Sequence, residues 1–525
     1  MKESVIACIL LTVVISLGIF VRVSSTAEPM WLDECHTAWA VNADSLSVVA
    51  GRAAVGNQPP LYFALVWSVT QVFGLTEFSL RLVSLVAGSA MMIIASLWAR
   101  ALTSRWSAAI LVAGLVAFDG QFIFYATEAR SYALLQLIGL IQAIFFWRIL
   151  AFNIDQEKYK PDAQASESFT NDRIPQLIAY STWTLLSIAI LYCHYTGVWL
   201  LIAEAIVVFA LATINRKFPT HFLAAAIAIV AALVPVWWNV ATVFGRRENW
   251  STVSSNALLW SDVEPWLVHW ILIPLGFTFA AWTIGFIQPG KDSTDKRNDW
   301  TLWLWIALWA IIGPTGIASA AALGVAPMAL VRYSIVCWVA IAIFATLPLK
   351  LASVRVSWIV ATIILASNFY GNWWAQELRS FKQFPTFRDE DWVATATALA
   401  NLNSSEPVFQ LADVIEDIDA LTIEDDRFQE YLLFPLRGAE AMQGCYRQPE
   451  VSVLPTWNVQ FTSEHLDSIR DAKGCWLIVR GDLDYALIIP DVLEQHLRQS
   501  IEFKFIPNEQ MPQSRVHLIR VRLAK

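Results

Sequence analysis

Charge is what this 525-residue chain has least of: Asp, Glu, Lys and Arg make up 15% of it, where soluble globular proteins carry about 25%. With 57% hydrophobic residues and a mean hydropathy of +0.51, that scarcity excludes a soluble single domain, a disordered chain and a nucleic-acid binder. Cysteine is also scarce, six in all and none in a CxxC pair, so no cysteine-based metal module is expected. Neither G-x-G-x-x-G nor G-x-x-x-x-G-K-[ST] is found, which removes the usual loops for nucleotide phosphates. No fixed-period repeat and no inverted pair of broken helices is visible, so the pattern of many secondary transporters is missing as well.

What the chain does have is long apolar runs. A bilayer core about 30 Å thick needs roughly 20 such residues in a helix. Suitable runs occur near 4–23, 79–99, 106–123, 131–149, 176–193, 196–214, 219–240, 266–288, 300–322, 332–349 and 355–373, predicting about eleven spans. The run from Pro60 to Phe73 is too short to cross and reads as an interfacial or re-entrant helix. The first run, uncharged from Ser4 to Val21, is longer than a cleavable signal's apolar core and lacks a clear cleavage site, so it reads as a span.

Eleven spans place Arg100, Arg105, Arg148, Lys158, Lys160, Arg173, Arg216, Lys217, Lys291, Lys296, Arg297, Lys350 and Arg355 in loops on one side, which is therefore expected to be cytoplasmic. The opposite, outer side receives residues 24–78, the turns near 119–128, 194–195 and 323–331, the loop 241–265 and the tail. The tail is the acidic part. Residues 1–376 hold 21 Lys and Arg against 20 Asp and Glu, whereas residues 377–525 hold 15 against 24. Its short apolar runs at 407–411, 475–479 and 516–522 read as strands, and 389–402 reads as a helix. The expected architecture is thus a polytopic all-α membrane domain over 1–376, with a large first outer loop (24–78), and a soluble extracytoplasmic α/β domain over 377–525. The location expected is the cell membrane, with the N-terminus cytoplasmic. Within the tail, Cys445 and Cys475 could form a disulfide if the compartment is oxidising.

Polar residues gather on the outer side. Asp33 and Glu34 are adjacent in the first outer loop between Trp31 and Trp39. They read either as a solvated acidic pair or as a general base near the bilayer surface. Glu128, Arg130 and Tyr132 stand at the head of the fourth span, His194 and Tyr195 between the fifth and sixth, and Arg332 and Tyr333 at the head of the tenth. Each alone could be an interface residue; their emergence on one side from separate segments is the stronger observation. Glu204 differs, since it sits mid-span, where a neutral or structural role is favoured over ion coupling. Acids beside arginines at an outer face suit transfer of a group from a lipid phosphate: a carboxylate takes the acceptor's proton and guanidiniums hold the departing phosphate.

The order Asp33-Glu34, then Asn57-Gln58-Pro59-Pro60-Leu61-Tyr62, then Glu77-Phe78-Ser79-Leu80-Arg81-Leu82, then Tyr125-Ala126-Thr127-Glu128-Ala129-Arg130-Ser131-Tyr132 resembles the GT-C superfamily of membrane glycosyltransferases. The similar branch contains the protein O-mannosyltransferases and the lipid A aminoarabinose transferase. The resemblance implies a sugar taken from a polyprenyl-phosphate carrier, with inversion, and delivered to a protein, lipid or polysaccharide acceptor. It implies Asp33 as general base, Glu34 beside it and Glu128 as the second loop acid. It also implies Arg130 and Arg332 as phosphate contacts, with Tyr62, Tyr132, His194, Tyr195 and Tyr333 around the substrate. The family commonly has His or Glu-Lys where this chain has Asn57-Gln58, so a basic contact is missing there; Arg246 or Arg247 is a candidate substitute. No metal or other cofactor is implied for this branch. The competing reading is a multi-pass transporter or a lipid-linked saccharide flippase.

Overall fold

The computed structural model describes residues 2–158, 169–216, 220–245, 296–323, 331–371, 388–402, 405–443, 450–509 and 511–524. It divides into two compact units. The first comprises Met1–Ser25, Val83–Gly245 and Ser254–Pro385; the second comprises Thr26–Leu82, Arg246–Val253 and Thr386–Lys525.

The regular elements described in the first unit are all helices. Among the described residues of the chain, eight helices are long and apolar enough to cross a bilayer, or nine if a bent pair counts as one span. Most fall where the hydropathy predicts: Ser4–Ala27, Glu77–Thr103, Tyr132–Phe152, Gln176–Cys193, Tyr195–Ile214, Thr220–Thr242, Thr301–Ala320 and Arg332–Lys350. The run expected at 266–288 lies outside the described residues. The run expected at 355–373 forms Val354–Gly371, whose apolar part is shorter than the other eight.

The third expected span is broken, and the break has a cause. Trp106–Phe118 ends at Asp119, and Gly120–Ala126 continues at 67° to it. Arg22, fully buried, donates from Nη2 to the Val116 carbonyl at 2.7 Å and so takes up one of the last carbonyls of the first helix. The Asp119 carboxylate accepts from the backbone N–H groups of Gln121 and Phe122 at 3.0 and 3.2 Å, capping the second helix. One ionisable residue thus ends a helix and another starts the next, and the chain turns towards Glu128.

Buried aromatics fill the interior of this unit. Trp305 stacks on Trp309 (5.8 Å) and Trp147 (6.1 Å), and the Trp309 indole N–H donates to the Val336 carbonyl at 3.0 Å. Gly313 lets the 3-10 turn Val331–Cys337 come close, since a Cβ there would lie 2.7 Å from the Cys337 sulfur. Mid-span Glu204 is buried, and its Oε2 accepts from the Gln142 amide (2.8 Å) and the Trp183 indole (3.1 Å), all neutral donors.

The second unit joins the first loop to the tail. Its five-stranded sheet has the order β2-β1-β3-β5-β4, with β1 Val408–Leu411, β2 Val451–Val453, β3 Gly474–Arg480, β4 Ile501–Ile506 and β5 Val516–Leu523. β2, β1 and β3 are parallel; β5 and β4 add antiparallel. The run Cys475–Val479 is buried on both faces, as its unbroken apolar sequence requires. The Cys475 thiol is free within this core, while Cys445 lies outside the described residues. Leu61–Phe73 is a helix of 13 residues, about 20 Å long at 1.5 Å per residue and too short to span a bilayer.

Candidate active site

The helix Leu32–Val41 carries the acidic pair, and burial separates the two acids. Nine of its ten residues are buried; the exception is Asp33. The cause is packing on several sides. Gly438 meets the backbone at Cys35 so closely that a Cβ would lie 2.2 Å from the Cys35 oxygen. The His36 ring lies among Trp39, Phe63, Tyr431 and Phe434, with centroids 5.2 to 5.9 Å away.

Glu34 is held as an ion. Arg81 donates to it from Nε at 2.7 Å and from Nη2 at 2.6 Å, and Arg388 adds an ion pair at 3.3 Å. The remaining N–H groups of Arg81 go to the carbonyls of Thr26 (2.7 Å), Glu28 (2.6 Å) and Pro29 (3.2 Å), so all five of its donors are used. A buried carboxylate this completely paired is suited to holding shape rather than exchanging protons. Asp33, half-buried on the same turn, lies within electrostatic reach of Arg480. Burial alone would lower the Arg480 pKa, but Glu390, Asp413 and Asp33 together raise it.

Asn57 adopts a left-handed conformation (φ 59°), which Asn tolerates well, and its amide donates to Glu416 at 3.1 Å. Tyr62 is fully buried at the start of Leu61–Phe73, its ring 5.8 Å from Phe63. Arg246 and Arg247 lie outside the described residues.

In the first unit the structure brings together residues from three predicted turns. Glu128 is fully buried, and the Arg130 backbone is anchored by Ser84, whose hydroxyl donates to its carbonyl at 2.9 Å. The Tyr132 ring lies 4.9 Å from Tyr125 and 5.3 Å from His194, and Tyr333 lies 6.5 Å from His194. Gln136 ties the Tyr132 helix to the turn bearing Arg332 and Tyr333 by donating to the Ile335 carbonyl at 3.3 Å. Gly197 brings the His194 turn in closely, because a Cβ there would lie 2.1 Å from Ile190.

His194 is the hub. Its Nδ1 accepts from the Thr196 backbone N–H at 3.2 Å, so the neutral ring carries its proton on Nε2. Burial pushes its pKa down to about 3, and Arg130 and Arg332 push the same way. At neutral pH this is an uncharged donor beside two guanidiniums. The Arg332 guanidinium also lies 5.7 Å from the Tyr333 ring centre. Tyr195 is half-buried at the start of the short 3-10 turn that follows His194. Among the described residues no three or more His, Cys, Asp or Glu side chains gather as a metal site would require.

Sequence reading alone did not single out Arg388, Glu390 or Arg480. Arg388 and Glu390 lie hundreds of residues from the loop they contact, as with Glu390 and Leu32 at a separation of 358, and Arg480 lies as far along the chain from Asp33, which it influences electrostatically. Arg81 had a signal, an arginine inside an apolar helix start, but no sequence feature named Glu34 as its partner.

No family model matches the chain, and no curated protein does. Among solved structures, ArnT from Cupriavidus metallidurans in the apo state is similar at 11% identity and a TM-score of 0.44, over 99% of this chain and 98% of that one. The same protein bound to undecaprenyl phosphate is similar at 10% and 0.39, over 99% and 98%. The apo oligosaccharyltransferase from Archaeoglobus fulgidus is similar at 10% and 0.45, over 95% of this chain and 69% of that one. No residue of this chain takes a role from these likenesses.

Proposed function

We propose that this protein is an integral-membrane glycosyltransferase. It takes a sugar from a polyprenyl-phosphate carrier and passes it to an acceptor on the outer face of the cell membrane, the N-terminus being cytoplasmic. The observation that carries the reading is the convergence of the Tyr132, His194 and Tyr333 rings from three segments, with Arg130 and Arg332 near enough to oppose protonation of His194. Guanidiniums brought near one neutral donor from distant segments can offer a single anion several hydrogen-bond donors at once. A phosphate suits them: guanidiniums bind it through paired hydrogen bonds, and the His194 Nε2–H adds a neutral donor.

In the reaction the acceptor hydroxyl attacks the anomeric carbon and the bond from that carbon to the carrier phosphate breaks. The carrier phosphate leaves with the electron pair, and the acceptor's proton passes to a carboxylate. Asp33 is the carboxylate proposed for that proton, because Glu34 is committed to Arg81 and Arg388. Glu128 is the proposed second acid, and Tyr62, Tyr132, Tyr195 and Tyr333 are proposed to line the substrate. The sequence resemblance set out above supports the same chemistry.

The test is transfer from radiolabelled polyprenyl-phosphate sugars by purified protein in lipid nanodiscs. Arg130→Ala and Arg332→Ala should each raise the donor KM about 10- to 100-fold, the range expected for losing a charged hydrogen bond. Wild-type KM in both variants would remove the phosphate site. Movement of free sugar across sealed vesicles with no transfer would favour a transporter instead.

A further inference from the structure

Glu390 belongs to the tail and is 2% exposed. Its Oε2 accepts from the Leu32 backbone N–H at 3.0 Å and from the Trp392 indole at 2.9 Å. Its Oε1 accepts from Nε and Nη2 of Arg480 at 2.9 and 2.7 Å. Leu32 is the first residue of the helix whose second residue is Asp33, and the preceding Trp31 supplies no side-chain cap. A carboxylate from far along the chain therefore does what a local Ser, Thr or Asp does at most helix starts, and its charge suits the positive end of the helix dipole.

The same carboxylate fixes Arg480, whose remaining arm pairs with Asp413. Its neighbour Arg388 works alongside, donating its backbone N–H to Glu28 at 2.9 Å and pairing with Glu34 at 3.3 Å. Two alternate residues of one tail segment thus hold the two ends of the turn bearing the acidic pair.

We infer that Glu390 is the positioning residue for Asp33: it caps the helix at Leu32 and holds Arg480, fixing both the place of the loop carboxylate and the charge it faces. The inference rests on the transfer reading proposed above. Glu390 touches no reacting atom; it acts through Leu32 and Arg480.

Glu390→Gln keeps a carbonyl oxygen for the cap but no longer neutralises Arg480. Activity is followed with the radiolabelled polyprenyl-phosphate sugar that the wild type uses. The variant should lose about 10-fold in kcat while the donor KM stays within about twofold. The acid limb of its pH–kcat profile should move down by about one unit, because the uncompensated guanidinium favours ionised Asp33. Arg480→Gln should move that limb the opposite way. Glu390→Asp restores the charge and should bring the limb back while kcat stays low.

A limb unmoved in Glu390→Gln, or a rate loss matching only the loss of folded protein, would overturn the assignment. Should Glu390→Gln fail to fold, an unmoved limb in Arg480→Gln overturns it instead. Failure of the underlying reading looks different: Asp33→Asn would then turn over at the wild-type rate. An inactive Asp33→Asn with wild-type behaviour in Glu390→Gln would remove the positioning role alone.

Discussion

The two units put their buried charges to different uses. In the second, opposite charges are divided out: Arg81 spends two donors on Glu34 and three on carbonyls, Arg388 bridges Glu28 and Glu34, and Arg480 bridges Glu390 and Asp413. In the first, Arg130 and Arg332 both lie near enough to His194 to oppose its protonation. A balanced network fixes geometry, and its loss is felt as instability. Guanidiniums proposed to hold a phosphate act on the ligand instead, and their loss should be felt as weaker binding.

That contrast can be broken first at Glu34. Glu34→Gln leaves Arg81 and Arg388 buried around a neutral amide and should cost about 3–5 kcal/mol of stability, as breaking buried ion pairs does. Thermal unfolding in detergent should show a large fall in Tm, and the Arg332→Ala protein should unfold close to the wild type. If the two variants unfold alike, the division between architecture and binding is wrong.

A smaller effect sharpens the picture of the tail. Burial pushes the Asp417 carboxyl from its ordinary 3.8 up to about 7, in spite of hydrogen bonds from the Thr456 hydroxyl and backbone N–H. The folded protein therefore holds this proton more tightly than the unfolded chain does. Its contribution to stability is fully present below about pH 4, is lost as pH rises towards about 7, and is level above that. Asp417→Asn should accordingly raise Tm at pH 8 and leave it nearly unchanged at pH 4. Equal Tm changes at both values would contradict the raised pKa.

Much of this was legible in the sequence, because hydropathy is a local signal. It placed most of the long helices within a few residues, the short helix after Pro60 and the strands around Val408, Trp476 and Leu518. It also placed His194, Arg130 and Arg332 at span ends, where they meet. The break at Asp119 was less visible: its cause is Arg22, nearly a hundred residues earlier, reaching the Val116 carbonyl. The acidic pair was legible as a pair but not as two different groups. Asp33 and Glu34 point to different surroundings one residue apart on a helix, and the partners that separate them come from Arg81, Arg388, Glu390 and Arg480. Hydropathy cannot report such pairings, since they depend on how the first loop and the tail fold together.

The most direct measurement is sugar transfer per folded molecule by Asp33→Asn. Asp33 is the unburied residue of its helix, so the variant should keep the wild-type Tm. It should lose about 10²- to 10⁴-fold in kcat, as removal of a general base does. Transfer at the wild-type rate by a folded Asp33→Asn protein would contradict the account.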